Sequence, residues 1–238
     1  MNYQFQIQNE QGRSLGDYEI NHEKIMHVFV IRKDRTNFQH IHPEYDEKSK
    51  TFTLKELTFT EPGSYRIFAD FKDATIKDNK NKQVTIYEDL QIGSEKTLSK
   101  PVSTRELSKT FGMYDVIMIS QPEILSVGFP AKLAFSINDN TKNGEPVRSL
   151  SPYLGAYGHA VIFDSDLNLM HTHSISNNNE AGKGIVEFEI APSNDGNMLV
   201  FAQFKDGEKI LTTDFGIQVN KSLSEIDMKI NSGEHEGH

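Results

Sequence analysis

The sequence predicts an all-β protein built from two homologous immunoglobulin-like β-sandwich domains in tandem. Three observations predict it. Short segments rich in Val, Ile, Phe and Tyr alternate with polar residues, clusters of Gly, Pro, Asn and Asp separate them, and an internal repeat spans most of the chain. Alternation with a period of two puts successive side chains on opposite faces of a strand, and segments at this spacing suit a sandwich of roughly seven strands per domain.

Taken in order, the first copy runs from "YQFQIQ" at Tyr3 through a glycine turn at Gly12, then "HVFVI" at His27, "TFTLKELTF" at Thr51 and "SYRIFADF" at Ser64. The second runs from "KLAFSI" at Lys132 through a turn at Gly144, then "HAVIF" at His159, "GIVEFEI" at Gly184 and "MLVFAQF" at Met198. Gly12 precedes His27 by 15 positions, and Gly144 precedes His159 by 15 as well. Further on, "RIFADFKD" from Arg66 matches "LVFAQFKD" from Leu199, and "YEDLQIG" from Tyr87 lies where "TTDFGIQ" from Thr212 does.

This order defines a first domain over residues 1–92, a polar linker over 93–110, a second domain over 111–220 and a polar tail over 221–238, expected to be disordered. Within the linker, "STRE" has the form of a capping box for one helical turn. One asymmetry stands out. "YDVIMIS" at Tyr114 reads as an opening strand of the second domain, and the first copy has no equivalent. Either a segment upstream has been removed or the first domain is one strand short.

Composition excludes several functions. A net charge of −9 and no basic stripe argue against nucleic acid as a partner. The absence of cysteine removes thiolate zinc sites, disulfides and cysteine nucleophiles together. No run is long and apolar enough for a transmembrane segment, and "MNYQFQIQNE" has no leader character, so the chain reads as a cytoplasmic protein or the mature part of an exported one. No G-x-S-x-G, P-loop or dinucleotide fingerprint is present. "HIHPEYDE" offers Glu47 after an H-x-H pair, as cupins do, but the cupin glycine and second histidine motif are missing.

The chemistry lies in the histidines. Each copy places one at the head of an apolar strand and an H-x-H pair after the following turn: His27 with His40 and His42, and His159 with His171 and His173. Residues two apart share a strand face, so His40 and His42 project together. A turn centred on Asp34 and Arg35 sets His27 across from His42; one centred near Asp166 sets His159 across from His173. Directly opposed side chains have Cβ atoms about 4.5–5.5 Å apart, near enough for three imidazoles to meet at one ion. Three neutral imidazoles suit copper or zinc, with copper(II) the tighter by the usual affinity order. The competing expectation is a hydrogen-bonded polar cluster copied by duplication.

Around these trios, Asp70 in "FADF" is expected to orient an imidazole through its other ring nitrogen, with Gln203 as its counterpart. Glu44 is placed to close the first site, and nothing equivalent follows His173. Met26 and Met170 adjoin site histidines but alternate onto the opposite face, which makes them packing residues. His22 has no counterpart and reads as an ordinary hydrogen-bonded histidine. His235 and His238 lie among glutamates in the tail, as a charged end or a loose metal trap. In "YLGAYGH", Gly155 and Gly158 read as a bulge or a close backbone approach leading into the histidine strand.

At "YLGAYGH" followed by "MHTH", and at "HEKIMHVFVIRKDRTNFQHIHPE" followed by "PGSYRIFADF", the chain resembles a bacterial family of exported or lipid-anchored two-module proteins, mostly uncharacterised and often described as metal- or copper-associated. The resemblance covers nearly all of residues 1–220. It implies an extracytoplasmic location, a pair of β-sandwiches and involvement of the six repeated histidines. The chain departs from the family's H-x-H-P pattern in the second copy, where Ser174 replaces the proline.

The expectation that results is a non-enzymatic, secreted or lipid-anchored protein that binds copper or zinc through one three-histidine site per domain, with no protein partner identified. The alternative is an extracellular interaction module whose histidines are structural. A small metalloenzyme ranks last, because no substrate-handling apparatus accompanies the histidines.

Overall fold

The computed structural model describes residues 2–78, 82–94 and 106–221. The STRE box and the tail histidines His235 and His238 lie wholly or partly outside them. The chain divides into two compact units, Met1–Lys100 and Pro101–His238.

The first unit is a two-sheet sandwich of β1 (Tyr3–Phe5), β2 (Tyr18–Glu19), β3 (Met26–Arg32), β4 (Gln39–Ile41), β5 (Glu44–Asp46), β6 (Thr51–Leu54), β7 (Gly63–Asp73) and β8 (Gln83–Ile92). One sheet runs β1-β6-β5; in the other, β7 lies between β8 and β3, β3 carries β4, and β2 also pairs with β7. The core between them joins Met26, Val28 and Val30 of β3 to Phe52 and Leu54 of β6, with Tyr65, Ile67, Ala69 and Phe71 of β7. These residues alternate along their strands, so one face of each sheet turns inward.

The second unit contains β9 (Ser108–Phe111), β10 (Tyr114–Gln121), β11 (Leu125–Ser126), β12 (Ala131–Asp139), β13 (Glu145–Pro146), β14 (Leu150–Ser151), β15 (His159–Phe163), β16 (Leu169–His173), α1 (Asn178–Ala181), β17 (Ile185–Ile190), β18 (Gly196–Asp206) and β19 (Lys209–Asn220). β9 begins inside the stretch read from the sequence as linker. One sheet runs β9-β10-β12-β17 with β13 also on β12; the other runs β19-β18-β15-β16, with β11 beside β19 and β14 on β18. Phe135, Phe188, Phe204 and Phe215 interlock in the core at centroid distances of 5.3–6.2 Å. Both units are β-sandwiches, as the sequence predicts.

The local differences have physical causes. The ladder of "YQFQIQ" stops at Phe5 because the chain turns back on itself: Leu15 N donates to Ile7 O at 2.8 Å. The ladder of "TFTLKELTF" stops at Leu54; beyond it Leu57 is buried, and Gln39 holds Thr58 through both backbone groups, at 2.7 and 3.1 Å. The helix α1, absent from the sequence reading, starts at a capping box in which Asn177 accepts from Asn179 N and Glu180 N while Glu180 accepts from Asn177 N.

Strand register also refines the repeat. Thr85 pairs with Asp70, and Thr212 pairs with Gln203. The counterpart of Thr212 is therefore Thr85 rather than Tyr87. A two-residue slip keeps every side chain on its own face.

Candidate metal centre

Each histidine trio is built by one hairpin and one tight turn. In the first unit β3 pairs with β4 in the register Val28↔Ile41 and Phe29↔His40, which carries His27 to a position across from His42. In the second, His159↔His173 and Val161↔His171 are direct pairs. The strands alternate, so the imidazoles share one face while Met26 enters the first core and Met170 packs against the second. His27 and His159 are buried, and the other four are half-buried.

The ring geometry converges in both units. His27 Nδ1 stands 3.0 Å from His40 Nε2 and 3.1 Å from His42 Nε2. In the second unit the corresponding atoms, His159 Nδ1, His171 Nε2 and His173 Nε2, are all buried. Ring centroids of the H-x-H pair are 4.7 Å apart in the first unit and 4.5 Å in the second. In each trio one nitrogen per ring lies within 4.8 Å of the other two. A cation holding imidazole nitrogens at about 2.0–2.1 Å needs them about 3.3–3.6 Å apart, so a few tenths of an ångström separate the His27–His40 and His27–His42 pairs from that spacing.

The tautomer of the buried histidine is set by a group the sequence reading missed. His27 Nε2 lies 3.0 Å from Asn21 O, and His159 Nε2 lies 2.7 Å from Tyr153 O. A carbonyl only accepts, so Nε2 carries the hydrogen and Nδ1 is left with its lone pair toward the trio. Each carbonyl belongs to a tight turn closed by a residue pair, Asn21↔Lys24 and Tyr153↔Ala156. The turn centres have positive φ: His22 at 48° and Glu23 at 66°, Leu154 at 52° and Gly155 at 76°. His22 is therefore a turn residue of this support, and its counterpart is Leu154.

The other expected site residues take varied places. Asp70 and Gln203 stand opposite His27 and His159 in register. Asp70 accepts from Gln83 Nε2 at 2.8 Å and Thr85 Oγ1 at 2.7 Å, while Gln203 donates to Thr212 Oγ1 at 3.0 Å. Glu44 is on β5 in the other sheet, exposed, with its carboxylate on Lys55 Nζ at 2.6 Å; among the described residues the clustered groups of the first unit are His27, His40 and His42. Carboxylate geometry on β5 is fixed by the pairing Glu44↔Thr53, which the sequence spacing from His42 does not reveal.

Gly158 and Ser174 flank the second trio and clasp each other. Ser174 N donates to Gly158 O at 2.9 Å, and Gly158 N donates to Ser174 Oγ at 3.1 Å. A proline at 174 has no N–H to give, so the departure from H-x-H-P serves a contact special to this copy. What Gly158 meets is packed side chains rather than backbone: a Cβ there would lie 2.7 Å from Phe188 Cζ.

No curated protein matches the sequence. Among solved structures, the fibronectin(III)-like modules of Clostridium thermocellum CbhA are 11% identical, with 94% of this chain and 92% of theirs covered and a TM-score of 0.27. Domains 4 and 5 of the S-layer protein SbsC are 10% identical over 90% of this chain and 78% of theirs, with a TM-score of 0.21. A marsupial T cell receptor is 9% identical over 94% and 72%, with a TM-score of 0.28. A family model described as a domain of unknown function, DUF8832, matches residues 1–88 and 109–221, and the chain belongs to that family.

Proposed function

We propose that the protein is a non-enzymatic, extracytoplasmic handler of a transition metal, copper or zinc, with one three-histidine site in each domain. The observation that carries this reading is the convergence of three imidazole nitrogens at one point, twice, each time with the buried ring oriented by a backbone carbonyl. With the lone pair of the buried ring turned inward, a cation at the centre takes all three facing nitrogens once the other two rings hold their hydrogens on Nδ1, and neutral imidazole is a strong ligand for both metals. The thioethers of Met26 and Met170 belong to the cores, so the donor set is nitrogen alone. That favours copper(II) or zinc over copper(I). The exported location rests on the family resemblance and suits a chain without cysteine.

The test is metal content of the protein as isolated, followed by copper(II) and zinc titration of the wild type, His40→Ala and His173→Ala. Two equivalents in the wild type, with one lost in each variant, supports the reading. Binding that neither change alters, or none at all, returns the histidines to a structural role.

A further inference from the structure

The carbonyl that orients the buried histidine sits in a turn of the same form in both units, but the two turns are not equally easy to hold. Asn21 O accepts twice, from Lys24 N at 3.2 Å and from His27 Nε2 at 3.0 Å. Tyr153 O accepts from Ala156 N at 3.2 Å and from His159 Nε2 at 2.7 Å. In the second turn one of the two residues at positive φ is a glycine, Gly155. In the first neither is, and His22 and Glu23 both take the left-handed conformation against the bulk of their own Cβ atoms. A turn of that kind persists where its surroundings hold it.

A relay of side chains reaches the first turn from β8. Asn21, which is buried, donates through Nδ2 to Gln83 Oε1 at 3.4 Å. Gln83 donates through Nε2 to Asp70 Oδ1 at 2.8 Å, and Thr85 Oγ1 donates to the same oxygen at 2.7 Å. An ionised carboxylate only accepts, so it fixes which end of the Gln83 amide faces it and leaves the amide oxygen for Asn21. Asp70 is itself buried and lies opposite His27 in register. The second unit has no such relay through this position. Gln83 pairs with Lys72, two residues beyond Asp70; two residues beyond Gln203 is Lys205, and its partner is Ile210, whose side chain neither donates nor accepts. Gln203 donates to Thr212 Oγ1 instead.

We infer that Gln83 is a positioning residue of the first trio. Through the side chain of Asn21 it holds the turn whose carbonyl keeps the hydrogen of His27 on Nε2 and the Nδ1 lone pair toward His40 and His42. Asp70 thus acts on the imidazole at two removes, through Gln83 and then Asn21. Given the metal reading proposed above, on which the consequence for affinity rests, a ring that turns or changes tautomer withdraws one donor of three.

The test is a double-substitution cycle in the full chain carrying His173→Ala, which leaves the first site to be titrated by itself. Gln83→Leu changes an exposed residue, and Asn21→Ala keeps the carbonyl while removing the amide that Gln83 holds. Each should weaken copper(II) binding by about three- to tenfold, the worth of one hydrogen bond. Together they should cost no more than either alone, because both break the same link. In the metal-free protein at mildly alkaline pH, long-range proton–nitrogen correlation NMR of the imidazoles should show His27 as Nε2–H in the parent and shifted toward Nδ1–H in both variants. Circular dichroism checks that each variant is folded. Beside His40→Ala, which leaves the second site by itself, Gln83→Leu should change nothing. Additive losses, an equal loss at the second site, or a His27 that keeps Nε2–H and full affinity in Gln83→Leu overturn the proposal. A parent that takes up no metal overturns the metal reading instead, and the tautomer of His27 then decides the role of Gln83 without it.

Discussion

Replacing Gly158 by alanine tests the link between core packing and the second histidine trio. The added Cβ would meet Phe188 Cζ at 2.7 Å, Phe204 Cε1 at 3.1 Å and Val186 Cγ1 at 3.1 Å. All three neighbours are fully buried, so none can swing away into solvent. Overpacking of this kind costs about 1–3 kcal/mol, which in a domain of this size lowers Tm by on the order of 5–15 °C. The strain is also directed. Gly158 precedes His159 and holds Ser174, the neighbour of His173, through two hydrogen bonds. The variant should therefore lose affinity at the second site while the first keeps its equivalent. Guanidinium unfolding by circular dichroism and metal titration of the same samples measure both effects. Gly112→Ala is the control: its φ is +60° and a Cβ there meets nothing within 4 Å, so it adds backbone strain without crowding. A Gly158→Ala protein as stable as the wild type, with two unaltered metal equivalents, would refute the reasoning.

Asp70→Asn weakens the buried acceptor of Gln83 Nε2 and Thr85 Oγ1 opposite His27, where the second copy already has Gln203; it should cost about 1–2 kcal/mol in denaturant unfolding while metal titration still finds two equivalents, because His27 is oriented by Asn21 O. Asp34→Ala leaves Arg32 buried with only the more exposed Glu61 as partner, and should cost about 3 kcal/mol in denaturant unfolding. Tyr114 is pushed up to about 12 by burial and then by its hydrogen bond to Asp206. The unfolded chain releases that proton near the ordinary tyrosine value and the folded chain holds it, so stability is full below about pH 10 and falls between about 10 and 12. Tyr114→Phe should flatten that part of the alkaline stability curve.

The trios were legible because strand chemistry is periodic: a turn centre fixes which residues oppose each other, and alternation fixes which share a face. That logic placed His27 with His42, His159 with His173, and both methionines on the far side. It was blind to Asn21 and Tyr153, whose contribution is a main-chain carbonyl and carries no side-chain signature. A signal existed all the same, in the equal six-residue spacing to His27 and His159. It failed for Glu44 because nearness in sequence to His42 ends where the chain crosses to the other sheet. The helix α1 announced itself only through Asn177 and Glu180, a pattern too short to separate from a polar loop. Strand lengths were overdrawn where side-chain bonds, such as those of Gln39 to Thr58, stand in for a ladder.

The two histidine hairpins differ by one residue in the connection between their strands, yet the same rings meet. Placement is indexed to the ladder and not to the tip, so an insertion or deletion at the tip leaves the meeting point where it was. Duplicated copies can drift apart in their outermost loops, in length and in charge, without either losing its cluster. Divergence between copies in this family should accordingly gather at the hairpin ends first and reach the rings last.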